Sequence, residues 1–396
     1  MANPFQNLPT RFVFFIVAIG VYALWGSPTP DAPGWAEGAM ALFLLLACGA
    51  PSIGALTAAG PRPALKLFLL YGMTVPLLAG CLRGHDPLLI ARDVFPFLFL
   101  CLPLFLTAVA GYSARTIHLY IYAICGLGLA FALRALGPAY GYLPPAGELY
   151  YLSNAPTVLF AAIFMAGVAL DRFTETPRLS TWLKGILSLL FVLTILWAML
   201  LDTQRATIGA IILSLSVFYI AAIMRSARRV FFPTLIIVAV VVGFLPVVDD
   251  AVQAIAGKTA KVGLNMRLEE LNAVIDTISS SFLTVLFGVG WGAKMASPAV
   301  AGIEVNFTHS LLTYVLLKTG LCGLALTLAW LVRVAADIRT ILRHNLVPGF
   351  ALIWAVAIPV VLYASHKSLD FGLILLLVAV LADGFKGRVA TAKSGV

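Results

Sequence analysis

Charge is scarce in this chain of 396 residues: Asp, Glu, Lys and Arg together supply 11%, less than half of the roughly 25% that keeps a soluble domain wetted. With 61% hydrophobic residues and a mean hydropathy of +1.01, most of the surface must face an apolar medium. That excludes a water-soluble globular enzyme. Acids are scarcest, at 17, and the pairs Asp249-Asp250 and Glu269-Glu270 are adjacent rather than spaced to share a cation on one helix face. No metal or cofactor requirement is expected. The phosphate-cradling glycine loop, the dinucleotide fingerprint and HExxH are missing, which argues against nucleotide-driven pumping and zinc hydrolysis. Cys48, Cys81, Cys101, Cys125 and Cys322 lie in or beside apolar runs; they have neither metal-binding spacing nor a disulfide pattern and read as small buried apolar residues. The first apolar run, Arg11 to Gly26, lacks a small-residue cleavage site and is expected to stay as a span.

Long apolar runs are what the chain has. At roughly 17 to 25 residues per helical crossing, the sequence parses into about twelve: 11–26, 39–58, 67–82, 88–110, 116–136, 156–172, 183–201, 207–225, 229–248, 309–336, 347–364 and 368–385. The expected fold is an all-α polytopic membrane protein, with N-terminal helices over 1–182 and a catalytic half over 183–396. Charge sign tests the parse independently, because hydropathy located the spans without it. Sixteen of the 26 Lys and Arg residues fall on the side that holds the N-terminus, so that side reads as cytoplasmic and both termini lie there. The net charge of +9 is thus a topology signal. It is scattered in ones, twos and threes and forms no stripe suited to nucleic acid.

The longest stretch between spans, Asp249 to Thr308, lies on the opposite side. Within it Leu264, Leu268, Leu271, Ile275, Ile278 and Phe282 recur at 3-4 spacing, which predicts an amphipathic helix lying on the membrane surface with Arg267 and Glu270 toward its other face. Gly288, Gly290 and Gly292 then break the helix. A second loop, 137–155, holds Tyr140, Tyr142, Tyr150 and Tyr151 and suits an interfacial belt or a sugar-stacking lid.

His309 stands where the long loop enters the tenth span, and an imidazole there either exchanges a proton near neutral pH or simply bonds a neighbouring carbonyl. His309-Ser310, nine residues, Gly320, two residues and Gly323 resemble the H-[N/S/Q]-x9-G-x2-[G/T/Y] motif of the O-antigen ligase and polymerase family of bacterial membrane glycosyltransferases. The preceding large loop, its arginine-bearing helix, the GVGWG turn and an arginine just before an upstream span agree with it. The resemblance covers chiefly residues 185 to 385.

It implies a fold similar to the GT-C type glycosyltransferases and an O-antigen ligase. Such an enzyme transfers polysaccharide from undecaprenyl pyrophosphate to a sugar hydroxyl of lipid A-core, on the periplasmic face of the inner membrane. His309 would be the general base, and Arg205 and Arg267 would bind the pyrophosphate, with inversion at the anomeric carbon. Apart from the resemblance, Arg205 can pair with Asp202 or snorkel, and Arg267 can pair with Glu270 on a solvated face. Arg83 and Asp370 are weaker supporting candidates: Arg83 as a lipid-phosphate contact or interfacial anchor, Asp370 as a partner of His309, a sugar ligand or a helix N-terminal acid. His366 and Lys367 read as an exposed loop, and Arg92 and Asp93 as structural or lipid-contacting. The alternatives are a polymerase using the same donor and a secondary transporter, against which stands the small number of ionisable residues deep in the spans.

Overall fold

The computed structural model describes residues 8–28, 34–57, 62–144, 147–175, 178–225, 230–231, 234–235, 238 and 266–394. The first half contributes α1 (Thr10–Trp25), α2 (Trp35–Thr57), α3 (Pro63–Gly72), α4 (Val75–Leu82), α5 (Pro87–Leu100), α6 (Leu102–Ala110), α7 (Ala114–Tyr140) and α8 (Pro156–Thr174). The second contributes α9 (Leu179–Leu201), α10 (Arg205–Arg225), α11 (Arg267–Ile278), α12 (Phe282–Phe287), α13 (Leu311–His344), α14 (Leu346–Val361) and α15 (Leu369–Ser394). A two-stranded antiparallel hairpin, β1 (Met295–Ser297) and β2 (Ile303–Val305), interrupts the helices.

Helices cover the parsed spans other than the ninth, 229–248, which lies outside the described residues except at 230–231, 234–235 and 238. Among the described residues six helices are long and apolar enough to cross a membrane, counting Pro63–Leu82 as one, or seven if α5 and α6, bent by 42°, form one span. The chain is an all-α multi-pass membrane protein. Proline opens α3, α5 and α8 at positions where no backbone N–H is needed. Side-chain caps from Asp86, Ser113, Ser310 and Asn345 start α5, α7, α13 and α14.

The core runs through both halves of the chain. Every residue from Ser368 to Ala382 is buried, so α15 is apolar nearly all round because neighbours surround it; α5, α6, α8, α13 and α14 pack against it. The outer helices expose apolar side chains, among them Leu183, Leu187 and Leu190 on α9 and Ile212 and Ile220 on α10. In a bilayer these face hydrocarbon.

The amphipathic helix of the long loop exists as α11, with the predicted apolar residues divided: Leu271 and Ile278 pack against the protein, and Leu264 lies outside the described residues. Glu270, Val274 and Ile278 face inward, while Leu268 and Ile275 on α11 and Phe282 beyond it point outward. The buried carboxylate finds its hydrogen-bond donors inside, and the outward leucine, isoleucine and phenylalanine suit a membrane surface better than water.

Candidate active site

The glycine turn explains much of the motif. Helix α13 breaks at Gly320, whose φ of 65° lies in the left-handed region, and a break frees carbonyls that must find new donors. The turn supplies them: Val289 N donates to Leu317 O at 2.9 Å and Gly290 N to Lys318 O at 3.0 Å, while the Tyr71 hydroxyl donates to Thr319 O at 2.7 Å. On its other side the turn meets the break between α3 and α4. Pro76 has no N–H to offer the carbonyl four residues before it, and Trp291 Nε1 donates to that Gly72 oxygen at 2.8 Å. The backbones approach so closely that a Cβ on Gly320 would lie 2.4 Å from Gly288 N. Arg83 donates to Gly288 O at 3.2 Å, so this arginine helps to hold the turn.

His309 is aimed by what surrounds it. The hairpin of β1 and β2 delivers the chain to Asn306, and Ser310 caps α13 by accepting from Thr313 N at 3.1 Å, which leaves His309 as the residue before the cap. Its ring Nδ1 lies 2.9 Å from Glu270 Oε1, its backbone N–H donates to Glu270 Oε2 at 3.0 Å, and the Ser297 hydroxyl donates to Oε1 at 3.1 Å. Glu270 is 1% exposed. Burial opposes its ionisation, yet the bonds from His309 and Ser297 outweigh that and hold the carboxyl below its ordinary range. An ionised carboxylate only accepts, so Nδ1 carries the proton and Nε2 presents its lone pair.

The two arginines arrive from different helices. Arg205 opens α10 after a tight turn in which Thr203 adopts a φ of 54°; the Ser153 hydroxyl braces that turn by bonding Asp202, and Gln204 Nε2 donates to Ser153 Oγ at 3.3 Å. Arg267 opens α11, with Nη1 4.0 Å from Glu270 Oε2, and this buried Nη1 has no hydrogen-bond partner. Burial pulls the proton affinity of Arg267 down, while Glu270 and Tyr363 raise it; a guanidinium keeps its proton regardless. Tyr363, after α14, joins the pair: burial raises the pKa of its phenol, and a bond from the Ala206 backbone together with both Arg205 and Arg267 lowers it. Both arginines therefore lie within electrostatic reach of one hydroxyl.

Beside them sits an ionic cluster absent from the sequence reading. Asp93 Oδ2 lies 2.7 Å from Lys318 Nζ, its Oδ1 accepts from Lys367 Nζ at 2.8 Å, and Gly292 N donates to Oδ2 at 2.8 Å. Asp93 and Lys318 are fully buried, which gives Asp93 a structural role. Lys367 also donates to Asn306 O at 3.4 Å, joining the cluster to the segment before His309. The loop reading of His366 is corrected, because its ring is 0% exposed.

Asp370 lies apart from His309: its carboxylate accepts from Tyr22 at 2.5 Å and from Thr157, tying α15 to α1 and α8. The structure therefore brings His309, Glu270, Arg267, Arg205 and Tyr363 together at one end of the bundle, uses Arg83 to brace the turn, and gives Asp370 other partners. Glu270 is the member that sequence reasoning missed as a partner of histidine. Among the described residues no group of three His, Cys, Asp or Glu could hold a metal ion. A cavity of about 650 Å³ lies at the opposite end, bordered by Asp171, Glu175, Arg225 and His344, and contains none of the predicted residues.

Residues 189–328 match the family model described as O-antigen ligase. That interval holds Arg205, Arg267, Glu270, the glycine turn, His309 and Gly320, whereas Asp93, Tyr363 and Lys367 lie outside it. No curated protein matches the chain.

Proposed function

We propose, from the O-antigen ligase family whose domain this chain carries over residues 189–328, that it moves a polysaccharide from undecaprenyl pyrophosphate to a sugar hydroxyl of lipid A-core. The enzyme sits in the bacterial inner membrane with both termini cytoplasmic, and its site faces the periplasm. The observation that carries the reading is the 2.9 Å bond between Glu270 and His309 Nδ1, with Arg205 and Arg267 both within electrostatic reach of Tyr363.

The chemistry follows from these groups. The acceptor oxygen forms a bond to the anomeric carbon as the carbon–oxygen bond to pyrophosphate breaks, and its proton passes to His309 Nε2. Charge develops on the leaving pyrophosphate, where two guanidiniums offer planar pairs of donors that stay charged throughout. One such donor, Arg267 Nη1, has no hydrogen-bond partner to give up. Counting Arg205, Arg267, Lys318 and Lys367 against Asp93 and Glu270, the site has two more cations than anions, as an anion site requires. Glu270 stabilises the imidazolium that forms. Displacement in one step inverts the anomeric centre.

The arginines supply the positive charge that a divalent cation supplies elsewhere, so transfer is expected to persist in excess chelator; loss restored by magnesium contradicts this. The polyprenyl chain is too apolar to cross water and enters sideways, beneath the outward apolar side chains of α11 and Phe282. The acceptor is tested by giving purified protein the lipid-linked glycan with either lipid A-core or a second lipid-linked unit. Product with lipid A-core supports the ligase, and product only with the second unit replaces it with a polymerase.

A further inference from the structure

Asn306, three residues before His309, and Ser365 and His366 carry buried polar atoms without a hydrogen-bond partner: Asn306 Nδ2, Ser365 Oγ and His366 Nε2. Such atoms are rare in folded proteins, and a cluster of them points to a ligand that supplies the missing bonds. Their chemistry is specific. Asn306 Nδ2 donates and Ser365 Oγ does either. His366 Nδ1 lies 3.3 Å from Tyr363 O, a carbonyl that only accepts, so Nδ1 carries the proton and Nε2 accepts. Burial and the neighbouring Lys367 push the His366 pKa down to about 3, which keeps the ring neutral at physiological pH. The trio is therefore uncharged, with donors and acceptors mixed.

Position separates the trio from the arginines. In the connection between α14 and α15, Tyr363 lies within electrostatic reach of Arg205 and Arg267, and His366, three residues later, within that of His309 and Glu270. The same short segment thus has an anion end and a histidine end. Lys367 pins it to the backbone of Asn306 and to Asp93, which brings Asn306 to the same place as Ser365 and His366.

We propose that Asn306, Ser365 and His366 form the subsite for the acceptor, binding the hydroxyls of an uncharged sugar ring and turning one of them toward His309. Sugar hydroxyls both donate and accept, which is what this trio lacks; a phosphate fills no need of His366 Nε2, and an ammonium fills none of Asn306 Nδ2. The inference rests on the transferase reading and adds to it the residues that choose the nucleophile. The atoms are enclosed as the structure stands, so binding a sugar requires the turn Ala364–Lys367 to move while Lys367 keeps it tied to Asp93 at 2.8 Å.

The test is made on purified full-length protein in detergent, with lipid A-core as the probe. Its binding is titrated without donor, and KM and kcat for each substrate are measured in the transfer reaction. Asn306→Ala with Ser365→Ala is expected to weaken lipid A-core binding and raise its KM about tenfold, the factor worth about 1.4 kcal/mol, with donor KM changed by less than twofold. His366→Gln, which keeps an acceptor oxygen, is expected to retain more binding than His366→Ala. Unchanged lipid A-core binding in the double variant, or an equal rise in donor KM, overturns the subsite. Because binding is read without turnover, the subsite is decided even if the wild-type protein transfers nothing, the result that removes the transferase reading itself.

Discussion

Replacing Glu270 by glutamine keeps the shape of the side chain and deletes its charge, which isolates what the carboxylate does for His309. In the native site the carboxylate accepts bonds at 2.9, 3.0 and 3.1 Å. Hydrogen bonds to a charged group contribute about 1.5–3 kcal/mol, and losing the one that steadies the imidazolium slows transfer by about 10- to 150-fold at 1.36 kcal/mol per decade. If the amide turns its NH2 toward Nδ1, the ring takes the wrong tautomer and the loss grows toward about 10⁴-fold. Steady-state transfer with labelled lipid-linked donor is expected to show this loss in kcat with donor KM little changed. Glu270→Gln within threefold of wild type, or a loss confined to donor KM, refutes the dyad. The folded carboxyl titrates below its ordinary value of 4.5, so its stabilising contribution is complete above that pH and is lost only as pH falls through the lowered folded value.

Other substitutions probe the scaffold. Asp93→Asn leaves Lys318 and Lys367 facing each other without a counter-charge and is expected to cost about 3–5 kcal/mol; Lys318→Met leaves a one-to-one pair and costs less, the order being read from thermal unfolding in detergent. Gly320→Ala forces a Cβ to 2.4 Å from Gly288 N and is expected to prevent assembly of the turn, whereas Gly302→Ala, with nothing within 4 Å, costs only the left-handed strain of about 1–2 kcal/mol. Arg267→Lys keeps the charge and loses the paired donors, so transfer is expected to fall about 10- to 100-fold and Arg267→Ala by about 10²- to 10³-fold, both measured in the same assay.

Hydropathy alone located the described long helices, because in a bilayer apolar length is itself the structural constraint. The residues around His309 were legible through their resemblance to a family motif, which the structure shows to be one local device, a helix start followed by a helix break. What was hidden is non-local. Asp93, Lys318 and Lys367 are far apart in sequence and each looks like an isolated charge; only the fold makes them a cluster. Glu270 stands three residues from Arg267, so a surface pair was the nearest reading, and nothing in the sequence indicated that the loop's hairpin returns His309 to it. On α11 Leu271 and Ile278 pack against the protein while Leu268 and Ile275 face outward, a division hidden from the sequence because apolar periodicity gives a face without saying whether protein or membrane covers it.

In the proposed mechanism His309 takes the proton while Arg205 and Arg267 hold the pyrophosphate. The most direct measurement combines donor binding and single-turnover transfer by His309→Ala in reconstituted membranes. The account requires donor affinity within about threefold of wild type and transfer slowed by about 10²- to 10⁴-fold, the range for a general base. Transfer by His309→Ala at the wild-type rate contradicts it.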